Sequence, residues 1–141
     1  MTMVLNETLR LYPSVPTLTR TVIEDTTIGK YFLPAGTLFS LQIVLMHRDP
    51  EIWGDDVKEF NPERFREGVA NATKGKVAFF PFGWGPRTCL GQNFSMIEAK
   101  LVMAMILQRF SFELSPSYTH APHAVITLQP QYGAQLILHK I

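Results

Sequence analysis

The chain has little cysteine and no long apolar run. Its 141 residues include one cysteine, Cys89, which excludes an intrachain disulfide and any zinc site of the CxxC type. No apolar run reaches the roughly 18 residues of a membrane-spanning helix, and the first ten residues lack the basic start and cleavage site of a signal peptide. Taken by itself, the chain is therefore expected to be soluble.

Charge is also scarce. Charged residues make up 18% of the chain, hydrophobic residues make up 46%, and the net charge is +1. A nearly neutral chain does not fit a protein that binds nucleic acid through its phosphates. The apolar content favours a packed globular protein over a disordered one. Because the sequence has no repeats and no low-complexity linker, residues 1–141 are predicted to form a single unit.

The first half of the sequence predicts a helix followed by a small sheet. Residues 2–11 have an apolar helical face, and the helix should end ahead of Pro13, which disfavours a helical conformation in the residue before it. No linker precedes this helix, so we expect the chain to be the tail of a longer protein. Alternating residues predict strands at 16–23 and 26–33, and a turn at 34–36 precedes a third strand. We expect these three strands to form one sheet.

The second half predicts mostly helices and loops. Residues 47–77 are interrupted often enough to predict short helical turns. The longest helical pattern runs from Gln92 to Phe110, and because its apolar residues cover most of the circumference we expect a largely buried helix. The tail, residues 125–141, predicts a hairpin with its turn at 129–133.

Cys89 lies in an unusual stretch, "FFPFGWGPRTCLGQNF", at residues 79–94. The start of the predicted long helix and the nearby Arg87 both favour a thiolate. Glycines on either side suit a loop that lies flat against a large group, and Phe82 and Trp84 supply aromatic walls. A buried, inert thiol is the ordinary alternative for a lone cysteine. A nucleophile would need a histidine base, and none of the four histidines has a recognisable relation to Cys89.

The pattern Phe82-x-x-Gly85-x-Arg87-x-Cys89-x-Gly91 resembles the haem-ligand loop of the cytochrome P450 family. The resemblance implies that the Cys89 thiolate is the axial ligand of the iron in haem b. It implies that Arg87 pairs with a haem propionate, since a guanidinium can clamp a carboxylate through two hydrogen bonds. Arg20, on the first strand, would be a second propionate partner, although a solvated strand arginine fits nearly as well. The cofactor-binding loop would also include Phe82, Gly83, Gly85 and Gly91.

Further stretches resemble the same family in the same order. Glu7-Thr8-Leu9-Arg10 is similar to its ExxR helix, and "FNPERF", which contains Arg64, is similar to its PERF motif. Between them stand "LYPSVP", "YFLPAGT" and "HRDPEIWG". An isolated charge pair at this spacing would be a weak signal. By resemblance, Glu7, Arg10 and Arg64 form a structural network that braces the segment before the haem loop.

The resemblance implies a mainly α fold with a small β-sheet, corresponding to roughly the C-terminal third of the family's length. It implies a monooxygenase that inserts one oxygen atom from O2 into a hydrophobic small molecule. The sequence is most similar to plant members of the family, so a terpenoid or hormone-like metabolite is one candidate substrate class. Substrate contacts would come from Val15, Thr17, Leu18, Leu128 and Gln129.

The resemblance also implies partners that the chain does not contain. Electrons would come from NADPH through a separate reductase on the proximal haem face, and Lys74 and Lys76 could help to dock it. The parent protein would be anchored in the endoplasmic reticulum membrane through a segment outside this chain. The acid/threonine pattern of the family's distal helix does not occur here. Three interpretations therefore stay open: a piece of a monooxygenase, a truncated product that at most binds haem, or a chain that neither binds haem nor folds stably.

Overall fold

The computed structural model describes all residues 1–141, beginning with helix α1 at Thr2–Leu11. These bounds confirm the predicted helix. The amide of Tyr12 closes the last turn by donating to the Thr8 carbonyl, and Pro13 follows at once. Glu7, Arg10 and Leu11 are the buried residues of α1, so its inner face carries charge as well as apolar surface.

The first strands form two separate antiparallel pairs. Strand β1 (Thr17–Thr21) pairs with β4 (Leu38–Gln42), whereas β2 (Thr26–Ile28) and β3 (Tyr31–Leu33) pair with each other. The prediction of one strand over 26–33, and of a single sheet, was therefore wrong. Gly29 takes a φ of 61° and turns the chain back in the middle of that stretch, which glycine allows without steric cost.

The middle of the chain forms short helices around the apolar core, as predicted for residues 47–77. The helices follow in the order α2 (Ile43–Met46), α3 (Pro50–Trp53), a 3₁₀ helix at Pro62–Phe65, and α4 (Gly68–Ala72). The Asp49 carboxylate accepts the Glu51 amide at 2.9 Å and so caps the first turn of α3. The buried cluster that unites these helices consists of Trp53, Val57 and Phe65, with Met3, Ile52, Ala72 and Phe79 packed against it.

The long helix α5 spans Gln92–Leu107, three residues shorter than predicted, because Phe110 already begins strand β5 (Phe110–Leu114). The apolar pattern alone predicts a largely buried helix, whereas in this chain α5 is exposed. None of its residues is buried, and Phe94 and Ile97 are 72% and 66% exposed. The apolar pattern surrounds the helix as the sequence indicates, but the other elements cover little of it. No helix of the structure has the length and apolar character needed to cross a membrane.

The C-terminal strands pair differently from the predicted hairpin. Strand β6 (Pro122–Ala124) pairs with β7 (Leu128–Pro130), and β8 (Leu136–Lys140) returns to β5. The turn at 129–133 is present, but it joins β7 to β8 without pairing them. Five residue pairs between β5 and β8 offer a longer ladder than the three-residue β7, which ends in a proline that cannot donate a hydrogen bond.

Candidate functional site

Backbone hydrogen bonds hold the Cys89 loop in a compact shape ahead of α5. The Gly83 amide donates to the Phe80 carbonyl at 2.9 Å, and the Thr88 amide donates to the Gly85 carbonyl at 3.1 Å. The Cys89 amide donates to the Phe82 carbonyl at 2.8 Å. The thiol itself is exposed. The loop therefore fixes the Cys89 backbone while leaving its sulfur accessible.

Two glycines of this loop have backbone angles that other residues rarely adopt. Gly83 has φ of 79° and Gly85 has φ of 73°. A Cβ on Gly83 would also lie 3.5 Å from the Arg87 carbonyl oxygen, and one on Gly91 would lie 3.8 Å from the Cys89 sulfur. The glycines thus shape the loop and keep bulk away from the sulfur.

The exposed side chains of the loop are suited to a large, flat, partly acidic cofactor. Arg87 and Leu90 are exposed along with Cys89, and Trp84 is 65% exposed. A soft thiol donor, a guanidinium two residues away and glycine backbone that permits close approach fit a haem with its iron and propionates. Phe82 is partly buried and lines a cavity of about 280 Å³ behind the loop.

Strand β1 lies beside the Cys89 loop. The Leu18 side chain reaches to 4.0 Å from the position of a Cβ on Gly83. Leu18 and Arg20 are two residues apart on one strand, so their side chains lie on the same face of it. Arg20 is partly exposed, and its Nη1 donates to the Thr19 carbonyl at 3.0 Å. The Arg20 side chain therefore leaves β1 on the face that carries Leu18, and its guanidinium bonds back to the neighbouring carbonyl.

The residues predicted to contact substrate come from two segments that a backbone hydrogen bond joins. The Leu128 amide donates to the Ser14 carbonyl at 2.8 Å, which ties β7 to the stretch carrying Val15. Thr17 donates to the Gln42 side chain at 3.0 Å, across the β1–β4 pair. A second cavity, of about 320 Å³, lies between the end of α1 and the β6–β7 hairpin. Its lining includes Tyr12, His120, Leu128 and Gln129.

Glu7 and Arg10 form a buried ion pair with two hydrogen bonds. Arg10 Nε lies 2.7 Å from Glu7 Oε2, and Arg10 Nη2 lies 2.8 Å from Glu7 Oε1. Both side chains are fully shielded from solvent. Arg64 is the more distant member, with its Nε 3.7 Å from Glu7 Oε1, too long for a hydrogen bond. The structure thus brings the three predicted network residues together, with the Glu7–Arg10 pair at the centre.

Arg64 has a closer partner that the sequence reasoning missed. Its Nη1 and Nη2 lie 3.0 Å and 2.9 Å from the two carboxylate oxygens of Asp56. The Arg64 guanidinium, through this hydrogen bonding, holds the pKa of the Asp56 carboxyl below its usual value. Asp56 lies in the loop that follows α3, directly after Asp55, where no helical or strand spacing relates it to Arg64. Only the folded arrangement identifies it as part of the network.

The Glu7–Arg10 pair also organises the backbone of the segment ahead of the Cys89 loop. Arg10 Nη1 donates to the carbonyls of His47 at 2.9 Å and Val57 at 2.8 Å, and its Nη2 donates to the Glu59 carbonyl at 3.1 Å. The Asn61 amide donates to Glu7 Oε1 at 2.9 Å. One buried pair therefore fixes residues 47–61 to α1.

His47 is a second residue that the sequence reasoning passed over. It is fully buried, and its Nε2 accepts the Phe80 amide at 3.2 Å. Its ring stacks on Phe79 with centroids 5.3 Å apart. Burial lowers the pKa of His47 to about 4, so the imidazole is neutral at neutral pH and can act as an acceptor. The signal was present in "HRDPEIWG", but that motif served only to support the resemblance.

Comparison with known proteins decides the family. A family model described as cytochrome P450 matches residues 1–137. The chain belongs to the cytochrome P450 family. Membership implies a haem iron cofactor, and among the residues described above Cys89 and Arg87 fit that group.

Individual relatives support the plant-type character of this cytochrome P450. Cytochrome P450 CYP72A219 of Panax ginseng is 67% identical over 139 residues, which cover 99% of this chain and 27% of the relative. The 7-deoxyloganic acid hydroxylase of Catharanthus roseus is 61% identical over 140 residues, with the same coverages. The solved structure of retinoic acid bound cyanobacterial CYP120A1 superposes with a TM-score of 0.88 at 34% identity, covering 99% of this chain and 32% of that one. The chain thus spans about a quarter to a third of the proteins it matches.

Proposed function

We propose that this chain supplies the thiolate side of the haem site in a plant monooxygenase, with Cys89 as the residue that would hold the iron. The observation that carries the proposal is the Cys89 loop, which presents an exposed thiol on a glycine-shaped backbone. A thiolate-ligated haem supplies activation of O2, because electron donation from sulfur favours O–O cleavage. The parent protein would insert one oxygen atom from O2 into a hydrophobic small molecule.

The chain's own residues bind and orient the cofactor. Arg87 would pair with one propionate, and Arg20, which lies on the β1 face shared with Leu18, would pair with a second. Phe82, Gly83, Gly85 and Gly91 set the shape of the loop. Glu7, Arg10 and Arg64 brace the segment that precedes it, so their role is structural.

The substrate and the redox partner complete the proposal. Val15, Thr17, Leu18, Leu128 and Gln129 contribute to the substrate side of the site. The similarity to the 7-deoxyloganic acid hydroxylase of Catharanthus roseus supports a plant metabolite as substrate, and we propose one of the terpenoid or hormone-like kind. NADPH delivers electrons through a separate reductase, and the full-length protein is anchored in the endoplasmic reticulum membrane by a segment outside this chain.

The test uses a chimaera in which this chain replaces the 140 matching residues of the Catharanthus roseus hydroxylase. The reduced carbon monoxide complex of the chimaera should show the thiolate-type Soret band, and Cys89→Ser should lose that band together with hydroxylation. Ser95→Ala, in the same helix end but without a ligand role, serves as the matched control. A Cys89→Ser chimaera that keeps the band and the activity would rule out Cys89 as the ligand.

A further inference from the structure

We propose that His47 is a positioning residue for the haem-ligand loop. Its imidazole sets the start of the loop by accepting the Phe80 amide, and its backbone connects that loop to the Glu7–Arg10 pair. The proposal rests on the proposed function in one respect: it takes the Cys89 loop to be the haem-ligand loop.

Hydrogen bonds connect His47 to the backbone of Cys89. His47 Nε2 accepts the Phe80 amide at 3.2 Å, from 33 residues earlier in the chain. The Phe80 carbonyl in turn accepts the Gly83 amide at 2.9 Å, and the Phe82 carbonyl accepts the Cys89 amide at 2.8 Å. Consecutive hydrogen bonds therefore lead from the imidazole to the backbone of Cys89. A shift of Phe80 would move the turn that holds Cys89.

Contacts on several sides hold His47 itself in place. Its carbonyl accepts Arg10 Nη1 at 2.9 Å, and its amide donates to the Ile43 carbonyl at 2.9 Å. The ring lies among aromatic rings, with centroids 5.3 Å from Phe79, 5.8 Å from Phe80 and 6.3 Å from Trp53. Close packing on these sides keeps Nε2 directed at the Phe80 amide.

The contact with the Phe80 amide depends on an acceptor at the Nε2 position of residue 47. Because Nε2 accepts the Phe80 amide, the proton of the neutral ring is assigned to Nδ1, which is buried. Glutamine can place its amide oxygen near the position of Nε2, whereas phenylalanine preserves a ring of similar shape without an acceptor. Phenylalanine would leave the Phe80 amide unpaired, which costs more than the net value of one hydrogen bond.

The experiment compares His47→Phe with His47→Gln in the chimaera. Hydrogen exchange at the Phe80 amide should accelerate roughly tenfold in His47→Phe, because its acceptor is gone. The same variant should carry a smaller fraction of the thiolate-type carbon monoxide complex, and His47→Gln should restore both readouts. Val57→Ala, which removes buried apolar volume without touching the Phe80 amide, controls for lost stability. If His47→Phe does not fold, His47→Asn replaces it, since its shorter side chain cannot reach Phe80.

The outcomes separate this proposal from the proposed function. Unchanged exchange and an unchanged thiolate fraction in His47→Phe would overturn the role of His47. The role of His47 would also be overturned if His47→Gln restored neither the exchange rate nor the thiolate fraction. The same holds if Val57→Ala, at an equal loss of melting temperature, lost thiolate ligation to the same extent as His47→Phe. If the unsubstituted chimaera lacks the thiolate band, the proposed function fails. The exchange measurement at Phe80 still reports on His47 in that case.

Discussion

Glu7→Ala should be among the most damaging single substitutions in this chain. The Glu7 carboxylate accepts two hydrogen bonds from Arg10 and one from the Asn61 amide, all at 2.9 Å or less, with no exposure to solvent. Removing it leaves the Arg10 guanidinium buried among carbonyl groups without a counter-charge. Breaking a buried ion pair in this way costs roughly 3–5 kcal/mol. A typical domain has a total unfolding free energy of only about 5–15 kcal/mol.

Asp56→Ala provides the matched comparison inside the same network. The Asp56 side chain is 39% exposed, so solvent already screens its pairing with Arg64. Arg64 would still donate to the carbonyls of Trp53 and Asp56 after the substitution. We expect Asp56→Ala to cost no more than about 1–2 kcal/mol.

The assay is denaturant unfolding of the chimaera, read together with its haem content after purification. Glu7→Ala should lower the unfolding midpoint strongly and yield protein largely without haem, whereas Asp56→Ala should retain most of its haem. A Glu7→Ala protein with the original midpoint and full haem content would refute the reasoning. An Asp56→Ala variant that is the less stable of the two would refute the ranking of the two pairs.

Three further predictions address pH, redox partner and isolation. As pH falls from 6.5 to about 4, His47 becomes protonated in the unfolded chain but stays neutral in the folded one, because burial lowers its pKa to about 4. The unfolding free energy should therefore drop by roughly 3 kcal/mol over this range. A His47→Gln variant titrated in parallel should lack this component. Changing both exposed lysines, Lys74 and Lys76, to glutamate should slow reduction of the chimaera by the reductase at low salt, and the difference from the unsubstituted chimaera should shrink as salt is added. Equal reduction rates at low salt would show that these lysines do not contribute to docking. The isolated 141-residue chain should self-associate and retain little haem in gel filtration, because α5 exposes Phe94, Ile97 and other apolar residues. A stable monomer with one haem per chain would contradict this prediction.

Local signals explain the successful sequence predictions. The bounds of α1 follow from its apolar spacing and from Pro13, which lies two residues beyond the helix end. The irregular stretch at 47–77 follows from its frequent glycine and proline residues. In the Cys89 loop, the two glycines with positive φ stand where the sequence reasoning expected a backbone stripped of side chains. Each of these features depends on residues close together in the chain.

Long-range pairing accounts for what the sequence did not predict. Strand β8 was expected to pair with its neighbour, but its partner β5 lies more than twenty residues earlier, and nothing local specifies that choice. The same limit applies to the Asp56–Arg64 pair and to the contact between His47 and the Phe80 amide, which spans 33 residues. Periodicity likewise shows that α5 is apolar on all sides, but it does not say which elements cover the helix, and in this chain few do.

The buried pair on α1 also dictates an order of events during synthesis. Arg10 bonds to carbonyls 37, 47 and 49 residues later, and Glu7 bonds to an amide 54 residues later. At about 5–20 residues per second, a ribosome needs roughly 3–10 s to deliver those partners after α1 has emerged. During that interval the Glu7 and Arg10 side chains lack the backbone partners that they have when buried, so they stay hydrated. Helix α1 can therefore take up its final packing only after Asn61 has been synthesised, and the Cys89 loop, which contacts that segment through His47 and Phe80, follows later in the chain.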